Sequence, residues 1–468
     1  MPDKYHIKTQ PVPPRRPRVG KFGVVDWRED CCRCHNCVKK ACVYDRYRQE
    51  AEYIRNLHSV DALFFDCMGC FSCIQECTKG LLRMSINPVY EGLGNHYWTP
   101  DIIRTTWAQS ETARIPVSGA GYRGPFSGPG FDSMWTDMSE IVRPTRDGIH
   151  GREYISTAVD IGRKPSYLSF DQESLGSVMP ALVTIQMPLI IDLQPPQYSL
   201  PDLAALMRQT AVRTDLLAMA DVSQWPFADE DVGRTLQHTM FHIGPDAKLP
   251  DEVLRQVRIV EIPDGPDVAR RIADLKAVYP CLVVCVRVQL DANGCKRAIE
   301  LAQMDAVEAV HIRADLNGDE IAVAKPRFLK DMIRQVHTAL IDIGRRDEIT
   351  LIAGGGIALP EHMAKAVICG ADLVSVELPL LVALECHLCS NCRPGLPCPA
   401  ELEEIDPDYG VGRMTNLIAA WHDQLIEVMG AMGMREARRL RGDVGRCMFF
   451  EQLEEETFGK LFGRRKDA

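Results

Sequence analysis

The chain has no stretch of about 18 uncharged apolar residues, the length that a membrane-spanning helix needs. Its start, MPDKYHIKTQPVPPRRPRVGKF, holds basic residues and prolines but no apolar core, which argues against a secretory signal. No basic domain stands out. A formal net charge of −10 favours solubility and argues against a general nucleic-acid role. A nucleotide-binding fingerprint is also missing, because no G-x-G-x-x-G opens a helix after a strand, and GAGYRG at 119–124 sits in an irregular stretch. These absences lead us to expect a cytoplasmic chain without a membrane span, which relies on a partner for any NAD(P)H chemistry.

Cysteine is what the chain has in abundance. Eighteen thiols in tight clusters, in a compartment that keeps thiols reduced, indicate metal or redox chemistry and not disulfides. One run reads Cys31-x2-Cys34-x2-Cys37-x4-Cys42 and a second Cys67-x2-Cys70-x2-Cys73-x3-Cys77. The second has the bacterial ferredoxin spacing, in which three close thiolates hold one cubane and the fourth reaches the neighbouring one. By that crossing rule Cys31, Cys34, Cys37 and Cys77 hold one 4Fe-4S cluster, and Cys67, Cys70, Cys73 and Cys42 hold another. Cys42 and Cys77 precede Val and Thr where ferredoxins usually have Pro, and the first run is one residue longer; neither departure removes a ligand. Paired C-x2-C motifs also serve zinc, but x2-x2 triplets are unusual for it. Cys32 is spare, or a substitute for Cys31.

A third set, Cys386-x2-Cys389-x2-Cys392-x5-Cys398, implies a further 4Fe-4S or 3Fe-4S cluster. The isolated Cys281, Cys285, Cys295, Cys369 and Cys447 read as buried small hydrophobes.

With 25% charged and 46% hydrophobic residues the composition is globular, and 468 residues exceed one ordinary core. Residues 1–25 read as an extended basic, Pro-rich arm suited to lying on a partner, 26–90 as a two-cluster ferredoxin-like module and 91–178 as an irregular connecting layer. From 179 to 385 eight apolar runs alternate with helical stretches: ALVTIQMPLIID, DLLAMADV, HTMFHIG, VRIVEIP, CLVVCVRVQL, AVEAVHIRAD, EITLIAGGGI and ADLVSVELP. The helices are clearest in SLPDLAALMRQTAV, LPDEVLRQV, PDVARRIADLKAVY, PRFLKDMIRQVHTALIDI and LPEHMAKAVICG. Eight such units predict an α/β fold, a (β/α)8 barrel, distorted where the second and third helices are short or unclear. Residues 386–468 supply the third-cluster loop and a C-terminal helical cap. Active-site loops of such barrels lie at the carboxyl ends of the strands, and Cys386 follows the eighth.

The stretches LIAGGGIALPEHMAKAVICGADLVSV, LLVALECHLCSNC and CPAELEEIDPDYGVGRMTNLIAAWHDQLIEVMGAMG resemble the FMN-binding synthase domain of glutamate synthase, in the short archaeal-type form with ferredoxin motifs. The resemblance is specific over about 350–440 and plausible over 115–190. It implies FMN, an iron–sulfur cluster after the last barrel strand, and reductive synthesis of glutamate from 2-oxoglutarate and ammonia. Gly354, Gly355 and Gly356 match the first half of the family's phosphate seat, and Arg287 lies where the family has a lysine that can oppose negative charge at the flavin ring. A barrel arginine paired with Asp291 or Asp315 is the plainer alternative for Arg287.

Several family features are replaced. Ser375, Val376, Glu377 and Leu378 stand where a Gly-x-Gly-Thr turn is expected. Glutamate there sets a carboxylate against a phosphate, a cost of about a kcal/mol or more unless a cation intervenes. DLQPPQYSLPDL and HIRADLNGDE occupy the places of two further family loops. No N-terminal glutaminase domain and no Cys beside the initiator Met appear, so ammonia would come from solution or from a separate glutaminase subunit. Arg143, Arg146 and His150, in DSMWTDMSEIVRPTRDGIHGRE, either bind a substrate carboxylate or form a salt-bridged layer.

Two functions follow. In one, an oxidoreductase subunit passes electrons from the N-terminal clusters to the third cluster and to FMN, acting on the CH-NH2 chemistry of glutamate. In the other, a non-catalytic electron-transfer and scaffold subunit has a barrel that has lost its flavin. Other redox subunits, such as a flavin/NAD(P)H oxidoreductase or a ferredoxin, are the partners implied.

Overall fold

The computed structural model describes residues 5–16, 19–26, 70–115, 126–136, 155–165, 180–198, 201–225, 235–389 and 400–463, with isolated positions at 32, 34, 36, 167, 170–171, 174–175, 392 and 398. They fall into two compact units, one of residues 1–12, 105–386 and 394–468, the other of 13–104 and 387–393.

In the smaller unit, β1 (Phe22–Asp26) and β2 (Leu82–Ile86) run antiparallel, with Phe22 opposite Ile86. Asn87 ends the pair. Its Oδ1 accepts the Val89 N–H at 3.0 Å and its Nδ2 donates to the Gly20 carbonyl at 2.9 Å, which ties the exit of β2 to the entry of β1. One helical turn, Ser72–Gln75, carries the buried Cys73.

Helix α1 (Pro100–Thr112) falls in the stretch expected to be irregular. Ile102, Ile103, Thr106, Gln109 and Ser110 are all buried, at helical spacing. Three of those five are polar, and a stripe built that way escapes a hydrophobicity pattern.

The larger unit contains the expected barrel. Its strands are β5 (Leu189–Ile191), β6 (Ala218–Asp221), β7 (Thr239–His242), β8 (Ile259–Pro263), β9 (Val283–Gln289), β10 (Ala309–Arg313), β11 (Thr350–Gly354) and β12 (Leu373–Val376), closed by pairing of β12 with β5. Each apolar run of the sequence supplies one barrel strand, and the barrel pairs are all parallel. The first run is divided. β3 (Val159–Ile161) pairs antiparallel with β4 (Val183–Ile185), and only the last part of the run enters the barrel. Pro188, which cannot donate to a ladder, and a tight turn from the Leu189 N–H to the Met187 carbonyl separate the two pieces.

Outside the strands lie α2 (Pro201–Thr214), α3 (Val268–Val278), α4 (Gly294–Gln303), α5 (Leu329–Asp342) and α6 (Pro360–Cys369), followed by the short α7 (Leu378–Ala383) and the long α8 (Pro407–Ala431). α4 is not among the expected helices, since its buried face of Cys295, Ala298, Leu301 and Ala302 is mostly small residues. The second and third units are short of helix among the described residues, with a 3-10 turn at Leu236–His238 and one turn at Asp251–Leu254, as the weak patterning there predicts.

The N-terminal arm rests on its own chain over residues 5–12. Tyr5 donates to the Thr214 carbonyl at 2.5 Å and meets the His422 ring edge-on at 5.0 Å. Asn416 donates to the Gln10 carbonyl, and the fully buried Arg413 donates to the carbonyls of Ala383, Val12 and Trp107. Three chain carbonyls thus accept from one buried guanidinium, one at each of its nitrogens. α8 is thereby locked to the arm and to the ends of α7 and α1. No helix among the described residues is long and apolar enough to cross a membrane.

Candidate functional site

Side chains alternate along each strand, so Ile259, Cys285, Ala309, Ile352 and Leu373 point the same way as the residues two positions further on. The first set forms an aliphatic layer, every member fully buried. The second set, nearer the carboxyl ends, is Glu261, Arg287, His311, Gly354 and Ser375. Asp192 just beyond β5, Arg313 at the end of β10 and Glu377 just beyond β12 join it.

These groups form a closed network. Arg287 pairs with Asp192 and, at 2.7 Å, with Glu261. His311 Nδ1 lies 2.6 Å from Glu261 and its Nε2 2.9 Å from Ser375 Oγ, which donates to Asp192 at 2.7 Å. Arg313 grips Glu377 with both terminal nitrogens, at 3.2 and 2.5 Å, and lies 3.5 Å from Asp192. His242 adds a 2.9 Å contact to Glu261.

Burial alone would push the carboxyls up, but Arg287, Arg313 and His311 hold Asp192 far below the ordinary range, and Arg287 with His311 holds Glu261 at about 2. At Glu377 burial wins over Arg313 and the pKa is raised. Burial, reinforced by Arg287, lowers His311 despite Glu261 and Asp192. Three carboxyls therefore face two guanidiniums. The upward shift of Glu377 eases that excess of negative charge, which is costly to bury.

Ser375, His311 and Glu261 have the connectivity of an acyl-transfer triad. All three are completely buried, however, and the serine proton goes to Asp192, so the hydroxyl is a strut and not a nucleophile.

Of the residues picked from sequence, Arg287 does reach the barrel end, but its partners are Asp192 and Glu261 and neither Asp291 nor Asp315. Gly354, Gly355 and Gly356 are accounted for by the chain's own packing. A Cβ at Gly354 would lie 2.2 Å from Ser375 Oγ and 2.9 Å from Arg313; at Gly355, with φ +100°, it would meet the Asp315 carbonyl at 2.4 Å; at Gly356, with φ +65°, the Gly318 Cα at 2.6 Å. The 314–318 backbone thus lies directly against the glycine turn. The cation that could have relieved Glu377 is present as Arg313, but its fork is engaged by Glu377 itself. These residues do not fit the phosphate of FMN.

Beside the network, a cavity of about 1000 Å³ opens at the barrel mouth, lined among others by Met207, Arg208, Met219, Trp225, Arg287 and Gln289. Arg208 stacks over Trp225 at 4.7 Å.

Sequence reading missed the network apart from Arg287 and Glu377. A signal was present: VRIVEIP, CLVVCVRVQL and AVEAVHIRAD each carry a charged or imidazole residue inside an apolar run, where burial demands a partner.

Among the cysteines, Cys31, Cys37, Cys42 and Cys67 lie outside the described residues, as do Arg143, Arg146 and His150. In the smaller unit Cys34 and Cys70 are exposed and Cys73 is buried. The backbone of Asn36 first, then the side chains of Cys32 and Thr78, hydrogen-bond Cys34 and lower its pKa despite some desolvation. The residue after Cys77 therefore touches the first cysteine run. The Leu81 N–H also donates to Cys77 Sγ at 3.3 Å. Cys386, buried, and Cys398 belong to the larger unit, Cys389 and Cys392 to the smaller. No group of His, Cys, Asp or Glu among the described residues is arranged to hold a metal ion. Cys285, Cys295 and Cys369 are buried as expected and Cys447 is half-buried; Cys281 is exposed, because it precedes the first paired residue of its strand.

Residues 256–435 match the conserved region in glutamate synthase. An archaeal-type glutamate synthase (NADPH) of Dehalococcoides mccartyi is 25% identical, over 90% of this chain and 93% of its own. An archaeal glutamate synthase (NADPH) of Archaeoglobus fulgidus is 23% identical, over 90% and 92%. That of Methanocaldococcus jannaschii reaches 33% identity over 34% of each chain. Among solved structures, a mutant flavocytochrome b2 with pyruvate bound is similar at 12% identity, over 71% of this chain and 93% of its own, with a TM-score of 0.41.

Proposed function

From its similarity to archaeal-type glutamate synthases along most of its length, we propose that this chain is an iron–sulfur, electron-transfer subunit of a glutamate-synthase-like oxidoreductase whose barrel serves as scaffold without flavin. The observation that carries this reading is the Glu377–Arg313 pair, with the 314–318 backbone against Gly355 and Gly356. Among the described residues, the strand-end cations Arg287 and Arg313 are both matched by carboxyls of the same chain, which opposes the binding of a phosphate.

The electron-carrying part rests on the cysteine runs. Cys31, Cys34, Cys37 and Cys77 hold one 4Fe-4S cluster and Cys67, Cys70, Cys73 and Cys42 the second. The contact of Thr78 with Cys34 supports the crossed assignment, since it brings the neighbourhood of Cys77 to the first run. Cys386, Cys389, Cys392 and Cys398 hold a third cluster, of four or three irons, which receives electrons from the other two. A ferredoxin or a flavin/NAD(P)H oxidoreductase subunit is the exchange partner, and the NADPH in the relatives' name is consistent with a separate nicotinamide-binding chain.

A second reading keeps FMN, with reductive glutamate synthesis from 2-oxoglutarate and ammonia supplied from solution or by a glutaminase subunit. The cavity of about 1000 Å³ beside Arg287 favours it.

Anaerobic purification, acid extraction of flavin and counting of iron and sulfide on one sample separate the two. The expected result is about twelve irons per chain, as three cubanes require, and no flavin. Near-stoichiometric FMN would overturn the scaffold reading in favour of the second. Cys70→Ala should lower bound iron by about one cubane, and an unchanged count would sink the ligand assignment.

A further inference from the structure

We propose that the Glu377 carboxyl is an internal occupant of an anion site whose receptor is Arg313, and that its presence excludes phosphate-bearing ligands from the barrel end. A guanidinium presents two parallel N–H donors, and carboxylate and phosphate oxygens fit that fork equally well. Arg313 uses the fork on Glu377 and on nothing else at short range. Its other acidic neighbour, Asp192, is 3.5 Å away and already holds Arg287 and the Ser375 hydroxyl.

The surroundings are those of a receptor as well as of a salt bridge. Gly354, by lacking a Cβ, lets Ser375 Oγ, Arg313 and His311 converge on the place a Cβ would take, at 2.2, 2.9 and 3.0 Å from it. The Arg313 and Glu377 side chains are 10% and 4% exposed, so the pair is desolvated from the start. Deleting the Glu377 side chain leaves Asp192 and Glu261 against Arg287 and Arg313. That balance has no surplus anion, and it leaves a guanidinium with two free donors beside a new void. A buried cation in that position captures an anion from solution or costs the fold dearly.

The proposal rests on the reading that the barrel end is closed to FMN, and its test is separable from that of the reading. Full-length wild-type protein, Glu377→Gly, and Glu377→Gly combined with Arg313→Met are dialysed to equilibrium against radiolabelled inorganic phosphate in a chloride buffer. Glu377→Gly is expected to take up one phosphate per chain at least about tenfold more tightly than the wild type. The double variant should lose that gain.

Equal binding by wild type and Glu377→Gly, with no FMN in either, would defeat this proposal alone, as would a gain indifferent to Arg313→Met. FMN retained by the wild type would defeat the reading of function instead. If Glu377→Gly does not accumulate folded, it is refolded with and without phosphate and Glu377→Ser is dialysed in its place. Recovery only with phosphate, or binding by Glu377→Ser, supports the site; no recovery together with no binding overturns it.

Discussion

The barrel interior has two layers two residues apart on the same strands, and they are held by opposite kinds of force. Ile259, Cys285, Ala309, Ile352 and Leu373 exclude water and need no particular partner. Glu261, Arg287, His311 and Ser375, with Asp192, Arg313 and Glu377, are nearly as dry, with the two arginines reaching the cavity, but depend on one another. Apolar burial is roughly proportional to area and tolerates a lost neighbour in part. A buried ion network does not, because removal of one member strands the charge of another. The carboxyl end of this barrel is therefore the more brittle half.

The largest effect should come from Arg313→Ala, which leaves Glu377 buried without its cation; a loss of about 3–5 kcal/mol in denaturant unfolding is expected. A loss below about 1 kcal/mol would mean that the network is wetter than the geometry indicates. Next, Leu373→Ala in the aliphatic layer should cost about 2–5 kcal/mol through lost transfer energy and a cavity. Unlike the first loss, it should be the same at pH 5 and pH 8.

Acid should then separate the layers. Glu261 is lowered from its ordinary 4.5 to about 2. A depressed carboxyl contributes stability that is fully present above the unfolded pKa and is lost as pH falls through the folded one, here about 3 kcal/mol between pH 4.5 and 2. His337, held neutral at about 4 by burial and the charges of Arg346 and Arg441, begins the decline below pH 6.5, since the unfolded imidazole takes up the proton first. In Glu261→Gln the steep part of the acid profile should flatten; an unchanged profile would move the acid-sensitive step away from the barrel.

Much of the fold was legible because its causes are local. Runs such as VRIVEIP and EITLIAGGGI read as buried parallel strands on their own, and all eight entered the barrel. Legibility failed where the cause was distant. α1 buries Thr106, Gln109 and Ser110, polar residues whose burial depends on partners elsewhere in the chain, and the first apolar run was split by the tight turn at Pro188. At the site, Glu377 could be flagged from sequence as hostile to phosphate, but Arg313, 64 positions away, could not be named as the cation that answers it.

By itself the sequence determined the class of the molecule: a parallel eight-stranded barrel, from the alternation of apolar runs with helices, and cysteine spacings suited to iron–sulfur clusters. Periodicity and spacing act over a few residues, so they survive in the linear text. Which charges meet was decided only by tertiary structure. Closure of the barrel sets Asp192, Glu261, Arg287, His311, Arg313, Ser375 and Glu377, from five strands and the loops beyond them, within hydrogen-bond range. Their pairing depends on the register of parallel strands, which no single stretch of the chain encodes.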